Sequence, residues 1–361
     1  MKRLSFSIIL ILLIIAASNS PQAKVRGVCS NCHTMHNSQG GAPLARGDQA
    51  WGGTGGVTDA RPNLLVASCI GCHSSTGTDT IITYNGIDFP IVYNTSEPTT
   101  NLLAGGNFYW VSMDCIGLNC GNAKGHNVLG ISERDPLPLA PGGFNCGGAN
   151  CHVSLAVPPT NTSIGLGGCQ GCHLRPAHHA DDSNVVVGSE VGDDDGFYRF
   201  LSGHFSGDTH GVCGIEDDDW QAVCGAGDHN EYLGFSGYKE DVGSFFHIGH
   251  HTMTAFCCGC HGEFHIEQSS GEWIRHPSDA VIPNEGEYQS AFSAGYDPLV
   301  PVARPSLSTV SPTVEIGTDM VMCLSCHRPH GSPYYKLMRW DYKNWPGSGY
   351  DGCGKCHTSK N

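Results

Sequence analysis

The sequence predicts a mostly irregular fold, coil with short helices and few strands. Three observations predict it. The 361 residues include 49 glycines and 20 prolines, so turns and loops dominate. Beyond the N-terminus there are no long apolar patterns of helical or strand period. Nineteen cysteines and twenty histidines recur in a fixed arrangement, which offers another way to build an interior.

The N-terminus reads MKRLSFSIILILLIIAASNSPQAKV. Lys2 and Arg3 precede an apolar run from Leu4 to Ala17 and then small polar residues, the layout of a secretory signal over residues 1–23. The mature chain is expected to be exported, with an uncleaved anchor as the competing reading. No later stretch reaches the ~20 apolar residues that a membrane span needs. A formal charge of −15 excludes a general nucleic-acid binder, which needs a basic face.

Cysteines in an exported chain ordinarily form a disulfide scaffold, but the spacing here points elsewhere. Six C-x-x-C-H motifs occur: Cys29/Cys32/His33, Cys69/Cys72/His73, Cys169/Cys172/His173, Cys257/Cys260/His261, Cys323/Cys326/His327 and Cys353/Cys356/His357. Two thiols at this spacing can each form a thioether to one edge of a porphyrin, while the next residue reaches the iron. Zinc half-sites and redox dithiols do not require that histidine. A seventh site, CGGANCH, keeps the histidine with a longer loop: Cys146, Cys151 and His152. The sequence therefore predicts seven covalent haem c groups. Cys115/Cys120 has the longer spacing but is followed by Gly121, so a disulfide is expected there. Cys213/Cys224 is expected to be a second disulfide, and Cys258 is the odd thiol.

Seven proximal histidines leave thirteen others. Histidine alone can thus fill every sixth position, which predicts bis-histidine, low-potential haems that relay electrons and lack an open site for substrate. In CHTMH and CHRPH the two histidines are three apart, and in CHGEFH four apart, so in a local helix they lie on one side, about 5–6 Å from each other. Two ligands of one iron must approach opposite faces. His36, His265 and His330 are therefore expected to serve haems other than those of their own motifs. His126 and His276 stand in loops suited to a distal face. One of His178 and His179, taken as His179, and one of His204, His210 and His229, taken as His229, complete the distal set.

The motifs divide the chain into residues 24–180 with four haems, an acidic haem-free insertion over 181–256, and 257–361 with three haems and a proline-spaced linker at 297–312. The acidic runs GDDDG at 192–196 and EDDD at 216–219 are calcium candidates, weighed against a solvated acidic face. The aromatics of RWDYKNW are read as packing on porphyrin edges or as ordinary core. Seven large apolar rings would replace a conventional core, coupling cofactor insertion to folding.

The stretches CSNCHTMHNSQGG, KGHN, RHP, CLSCHRPH and the C-terminal CGKCH occur in the order seen in OmcS-like cytochromes, the outer-surface multihaem cytochromes of metal-reducing bacteria. The chain resembles that family through its haem motifs. The resemblance implies a filamentous homopolymer organised around a continuous haem stack, carrying electrons out of the cell to metal oxides, electrodes or partner cells. It also implies that His36 ligates a haem of the adjacent subunit. The family's filament type has six haems where seven are read here, and CHLRPAHH lacks a histidine at the usual offset of three. The competing readings are a monomeric periplasmic shuttle with redox-partner cytochromes, and a multihaem reductase.

Overall fold

The computed structural model describes residues 33, 38–39, 42–43, 69–99, 102–113, 123–133, 140–142, 154–158, 167–173, 178, 185–186, 197–201, 211–236, 251–261, 264, 275–344 and 349–359. Irregular chain with short helices and short strands makes up these residues. The helices are α1 (Ile70–His73), α2 (Tyr109–Ser112), α3 (Met253–Cys258) and α4 (Cys323–Cys326). Three of them lie on cysteine motifs, and 3-10 turns at Gly168–Gly171 and Cys353–Lys355 cover two more. Thr252 starts α3, its hydroxyl accepting from the Ala255 N–H at 3.0 Å. After α4 the chain turns extended at His327, two residues before Pro329.

The strands are β1 (Ser38–Gln39), β2 (Ala42–Pro43), β3 (Ser74–Ser75), β4 (Ile81–Tyr84), β5 (Ile87–Pro90), β6 (Tyr93–Asn94), β7 (Val185–Val186), β8 (Gly214–Ile215), β9 (Glu231–Leu233), β10 (Ala280–Val281), β11 (Ala303–Arg304) and β12 (Met320–Val321). β4 and β5 form a hairpin through Asn85 and Gly86, at φ of 49° and 80°. An Asn-Gly pair supplies the two positive φ angles that this turn requires. The last six strands make one sheet, in the order β10-β12-β11-β9-β8-β7. Tyr232 lies between Ala303 on one side and Gly214 on the other, and Ala303 also faces Met320.

Two segment readings are corrected by this sheet. Residues 297–312 are no outer linker: Val300, Val302, Ala303 and Arg304 are buried, and β11 is an interior strand. The prolines permit extended chain, and apolar residues at 300 and 302 turn it inward. The segment 181–256 is no separate insertion either, since β7, β8 and β9 join the C-terminal strands. In EDDD the carboxylates serve protein donors. Glu216 takes the Arg199 guanidinium at 3.1 Å, Asp217 the Gln221 N–H at 2.8 Å, and Asp219 the Ala222 and Val223 N–H groups at 3.0 and 2.9 Å. Among the described residues no acidic group is clustered to hold a metal ion.

Strands of two or three residues gain little from their ladders, about 1 kcal/mol net per hydrogen bond. Fully burying one Val, Ile or Met side chain contributes about 1.5–3 kcal/mol, so packing decides. One cluster joins Tyr198, Val212, Tyr232, Met253, Met320 and Leu324, with Cys172 and Cys257 packed on it. A second joins Ile282, Phe292, Tyr296, Val300, Val302 and Trp340, bordered by Cys326, Cys353 and Cys356. Trp340 of RWDYKNW is thus core that abuts the cysteine motifs. The third, Phe108, Val111 and Val128, meets Cys169.

A buried ion network ties the sheet together. Arg304 donates from Nε to Glu231 Oε2 at 2.9 Å and pairs with Asp319. Burial opposes the Glu231 charge, but His229, Arg304 and the Ser311 N–H together hold its carboxyl below the usual range. At Gly106, with φ of 85°, a Cβ would fall 2.0 Å from the Gly331 carbonyl oxygen, and the two glycines bridge residues 104–108 to the penultimate motif.

Two outcomes are expected. Gly106→Ala should cost about 1–3 kcal/mol, from the left-handed backbone and the clash, measured by denaturant unfolding of the haem-loaded protein. Because the folded Glu231 carboxyl titrates lower than the unfolded one, near pH ~4.3, its stabilisation is present above that value and lost as pH falls through the folded pKa. Glu231→Gln should flatten that acid limb in a pH series of melting curves.

Candidate functional site

Each described cysteine motif closes one backbone turn. The histidine N–H donates to the carbonyl of the first cysteine in all five: His73 to Cys69 at 3.0 Å, His173 to Cys169 at 2.9 Å, His261 to Cys257 at 3.0 Å, His327 to Cys323 at 3.1 Å and His357 to Cys353 at 2.9 Å. The second cysteine tightens the same turn, its N–H reaching that carbonyl from Cys72, Cys172 and Cys260 at 3.1 Å and from Cys356 at 3.2 Å. One turn brings both thiols and the imidazole to the same locality. The reason is the spacing itself, since residues three and four apart are neighbours on a turn.

The two cysteines of a motif are not joined to each other. Cys72, expected from the sequence to form the second thioether of its motif, stands in the structure as a separate, half-buried thiol on α1, with no disulfide to Cys69. The other described motif cysteines are likewise separate thiols, which is the state that thioether formation requires.

The imidazoles are held in one tautomer. Nδ1 stands against an acceptor in each case: His73 on Pro90 O at 2.9 Å, His173 on Arg199 O at 2.8 Å, His261 on Pro141 O at 2.7 Å, His327 on Lys336 O at 3.0 Å and His357 on Glu287 Oε1 at 3.1 Å. A proton kept on Nδ1 leaves the Nε2 lone pair for a metal. Arg199 and Lys336 adopt φ of 47° and 59°, so two acceptor carbonyls are aimed by left-handed residues. Burial lowers His261 to about 4 and His330 to about 3, which keeps both rings neutral.

Four of the five face a second imidazole. His73 faces His178 at 6.3 Å between ring centres, His173 faces His330 at 6.0 Å, His261 faces His126 at 6.0 Å, and His357 faces His276 at 6.2 Å. Imidazoles bound to one metal from opposite sides stand about 6 Å apart, with about 2 Å from each nitrogen to the metal and about 1 Å from each ring centre to its nitrogen. The chain's own residues therefore fit a haem iron at each pair. His126 and His276 have Nδ1 on Pro329 O and Pro277 O at 2.8 and 2.9 Å, in the manner of the motif histidines. His330 lies opposite His173, the histidine of a motif other than its own.

The distal choices within the open sets come out differently. His178 stands opposite His73, while the expected His179 lies outside the described residues. His229 is a core histidine: Nδ1 meets Gly225 O at 3.0 Å, Nε2 meets Glu231 Oε1 at 3.3 Å, and the ring stacks on Tyr296 at 3.6 Å. With both nitrogens occupied it has none for iron. The alternation in HNEYL carries that signal, because His229 and Glu231 share one face of an extended chain. His251, passed over in the sequence, has Nδ1 on Gly211 O at 2.8 Å. Cys213 and Cys224 are separate thiols and not a disulfide, Cys213 buried beside Val212 and Cys224 exposed. Cys258 is buried on α3, beside the Cys257/Cys260 pair. Cys29, Cys32, His36, Cys115, Cys120, Cys146, Cys151, His152, His204, His210 and His265 lie outside the described residues, and of the first motif only His33 lies within them.

The motifs also touch one another. The Cys169 thiol pulls its neighbour Cys69 down to about 7. Burial and then the nearby Cys260 thiol raise Cys172. The Cys323 thiol raises Cys257, and burial, then Cys353 and Cys356, raise Cys326. Motifs two, four, five, six and seven thus adjoin in sequence.

Turns of this kind, repeated with anchored and opposed imidazoles, define a multihaem c-type cytochrome. Residues 317–361 match the doubled CXXCH motif family. The chain is similar to the C-type cytochrome OmcS of Geobacter sulfurreducens, 22% identical over 87% of this chain and 78% of that protein. The similarity to OmcS-like multihaem cytochromes with doubled CXXCH motifs is distant and extends over nearly the whole chain. Two solved structures also align, each 20% identical and covering 88% of this chain and 84% of the other: the Outer Membrane Cytochrome S filament of Geobacter sulfurreducens, with a TM-score of 0.45, and the OmcS nanowires of the same organism, with 0.48.

Proposed function

We propose that this chain carries electrons through seven covalent bis-histidine haems and does so outside the cell as a polymer. The observation that carries the reading is the set of four opposed imidazole pairs, each at the separation one iron fills. Covalent haem supplies one-electron oxidation and reduction. Two thiols of each motif, such as Cys69 beside α1 and Cys72 within it, would hold the group, and the opposed imidazoles, oriented by Nδ1 donation, would bind its iron and leave substrate no place there. An electron carrier, not an enzyme, follows from that closure.

Adjacency of motifs two, four, five, six and seven supports a relay, because electron transfer needs cofactors near contact. The proposed distal set is His126, His178, His276 and His330, with His251 in place of His229, together with His36 and His265. Among the described residues His327 faces no second imidazole. The polymer reading is supported by the family resemblance, in which His36 goes to a haem of an adjacent subunit. The N-terminal signal and the family resemblance support export to the cell surface, and no helix among the described residues is long and apolar enough to cross a membrane.

His330→Ala in the haem-loaded protein should convert one low-spin haem to a high-spin or ligand-binding form by electron paramagnetic resonance, with haem content unchanged. His229→Ala should leave every haem low-spin and lower only stability. Low-spin spectra throughout His330→Ala would refute the assignment. For assembly, His36→Ala should abolish filaments in negative-stain micrographs and alter one haem. Intact filaments with unchanged spectra would refute His36 as the intersubunit ligand, and wild-type protein without filaments would leave the chain a shuttle.

A further inference from the structure

Two guanidiniums beside the penultimate motif lack a counter-charge. Arg328 and Arg339 are 7% and 5% exposed. Arg328 Nη1 donates to the carbonyls of Leu103 and Leu102 at 2.7 and 3.4 Å. Arg339 donates from Nε to Leu324 O at 2.6 Å and from Nη2 to Ala104 O at 3.2 Å, while its Nη1 is buried without a partner. Carbonyls satisfy donors but do not neutralise an ion. Neither arginine pairs with a carboxylate among the described residues, whereas Arg304, buried to the same degree, takes both Glu231 and Asp319.

An unpaired buried ion costs several kcal/mol, and here two like charges lie close enough to repel. Burial pushes the phenols of Tyr232 and Tyr296 well above their ordinary value, and burial raises the thiol of Cys224. The described residues thus present a cationic recess whose counter-anion they do not themselves supply.

We propose that Arg328 and Arg339 together bind a haem propionate, with Arg339 Nη1 donating to one of its oxygens. A planar guanidinium fork matches a carboxylate in shape and charge. The surroundings are those of the haem sites. Arg328 stands between His327 and His330, the Arg339 N–H donates to Cys326 O at 2.8 Å, and Gly105, on the loop that supplies the carbonyls, would place a Cβ 3.0 Å from His330 Nδ1. The inference rests on the haem reading above.

The test uses full-length haem-loaded protein, wild type with Arg339→Gln, Arg328→Gln and Arg339→Lys. Intact mass and pyridine haemochrome content count the haems, and spectroelectrochemical titration gives their midpoints. Removing a positive charge favours ferric iron. Each Gln variant should therefore lower one haem midpoint, raising its ferric-to-ferrous ratio about tenfold at fixed potential, equivalent to about 59 mV for one electron. Arg339→Lys should retain most of the wild-type value. Unchanged midpoints in both Gln variants at full haem content would overturn the proposal. If those variants fail to assemble, the electron microscopy map of wild type decides: propionate oxygens within hydrogen-bond distance of Arg339 Nη1 uphold it, and a water, a free ion or an Asp or Glu there overturns it. A wild-type mass lacking haem would instead refute the haem reading itself.

Discussion

The constraint on which the rest depends is the hydrogen bond from histidine Nδ1 to a fixed acceptor. It decides which nitrogen is available, which way each ring faces, and which loop must lie behind it. Pro90, Pro141, Arg199, Lys336 and Pro329 each present a carbonyl to one ring, and each belongs to a segment remote from that ring. The loops that look arbitrary in trace are therefore aimed. One such bond contributes only about 1 kcal/mol net, too little to hold a loop against its entropy. The fold consequently leans on whatever the rings are aimed at, and covalent haem held through the motif cysteines would supply that hold.

Apolar packing follows the same layout. Each hydrophobic cluster runs up against cysteines of the motifs: Cys172 and Cys257 on the first, Cys326, Cys353 and Cys356 on the second, Cys169 on the third. Side chains such as Tyr232, Met320 and Trp340 thus form partial cores, each with one wall at an attachment site. This explains why strands of two or three residues suffice. The six-stranded sheet need only bring β9, β11 and β12 together around Tyr232 and Ala303, with the Arg304 network joining Glu231 of β9, Arg304 of β11 and Asp319 beside β12.

Much of the site was legible in the sequence because covalent attachment imposes a local spacing. The motif turns and the irregular fold class followed from spacing and composition, and His126, His276 and His330, singled out from loop context, ligand count and the two-face argument, each stand opposite a histidine of another motif. What escaped is non-local. The choice of His178 over His179 depends on which ring the loop delivers opposite His73. His229 looked available because Tyr296, sixty-odd residues away, closes its face. Residues 297–312 read as a linker since prolines mask a strand whose partners, Tyr232 and Met320, lie elsewhere in the chain. No local pattern announces that Arg199 and Lys336 take left-handed conformations, or that two arginines are buried without carboxylates.

The doubled motif now has a mechanical meaning beyond its histidine count. Within residues 326–330, His327 belongs to its own motif, His330 reaches across to face His173, and the carbonyl of Pro329 between them fixes His126, which faces His261. One pentapeptide therefore sets three sites relative to each other. Arg328 N–H donates to Leu337 O and the Arg339 N–H to Cys326 O, so a second strand of chain braces it from behind. Proline at 329 is apt for the place, since it has no N–H to satisfy, fixes its own φ and narrows the backbone freedom of Arg328 before it. A relay needs constant spacing between adjacent carriers more than it needs any single rigid element. Three sites tied to five consecutive residues cannot drift apart without breaking the covalent chain, and that is the advantage of placing the second histidine three residues after the first.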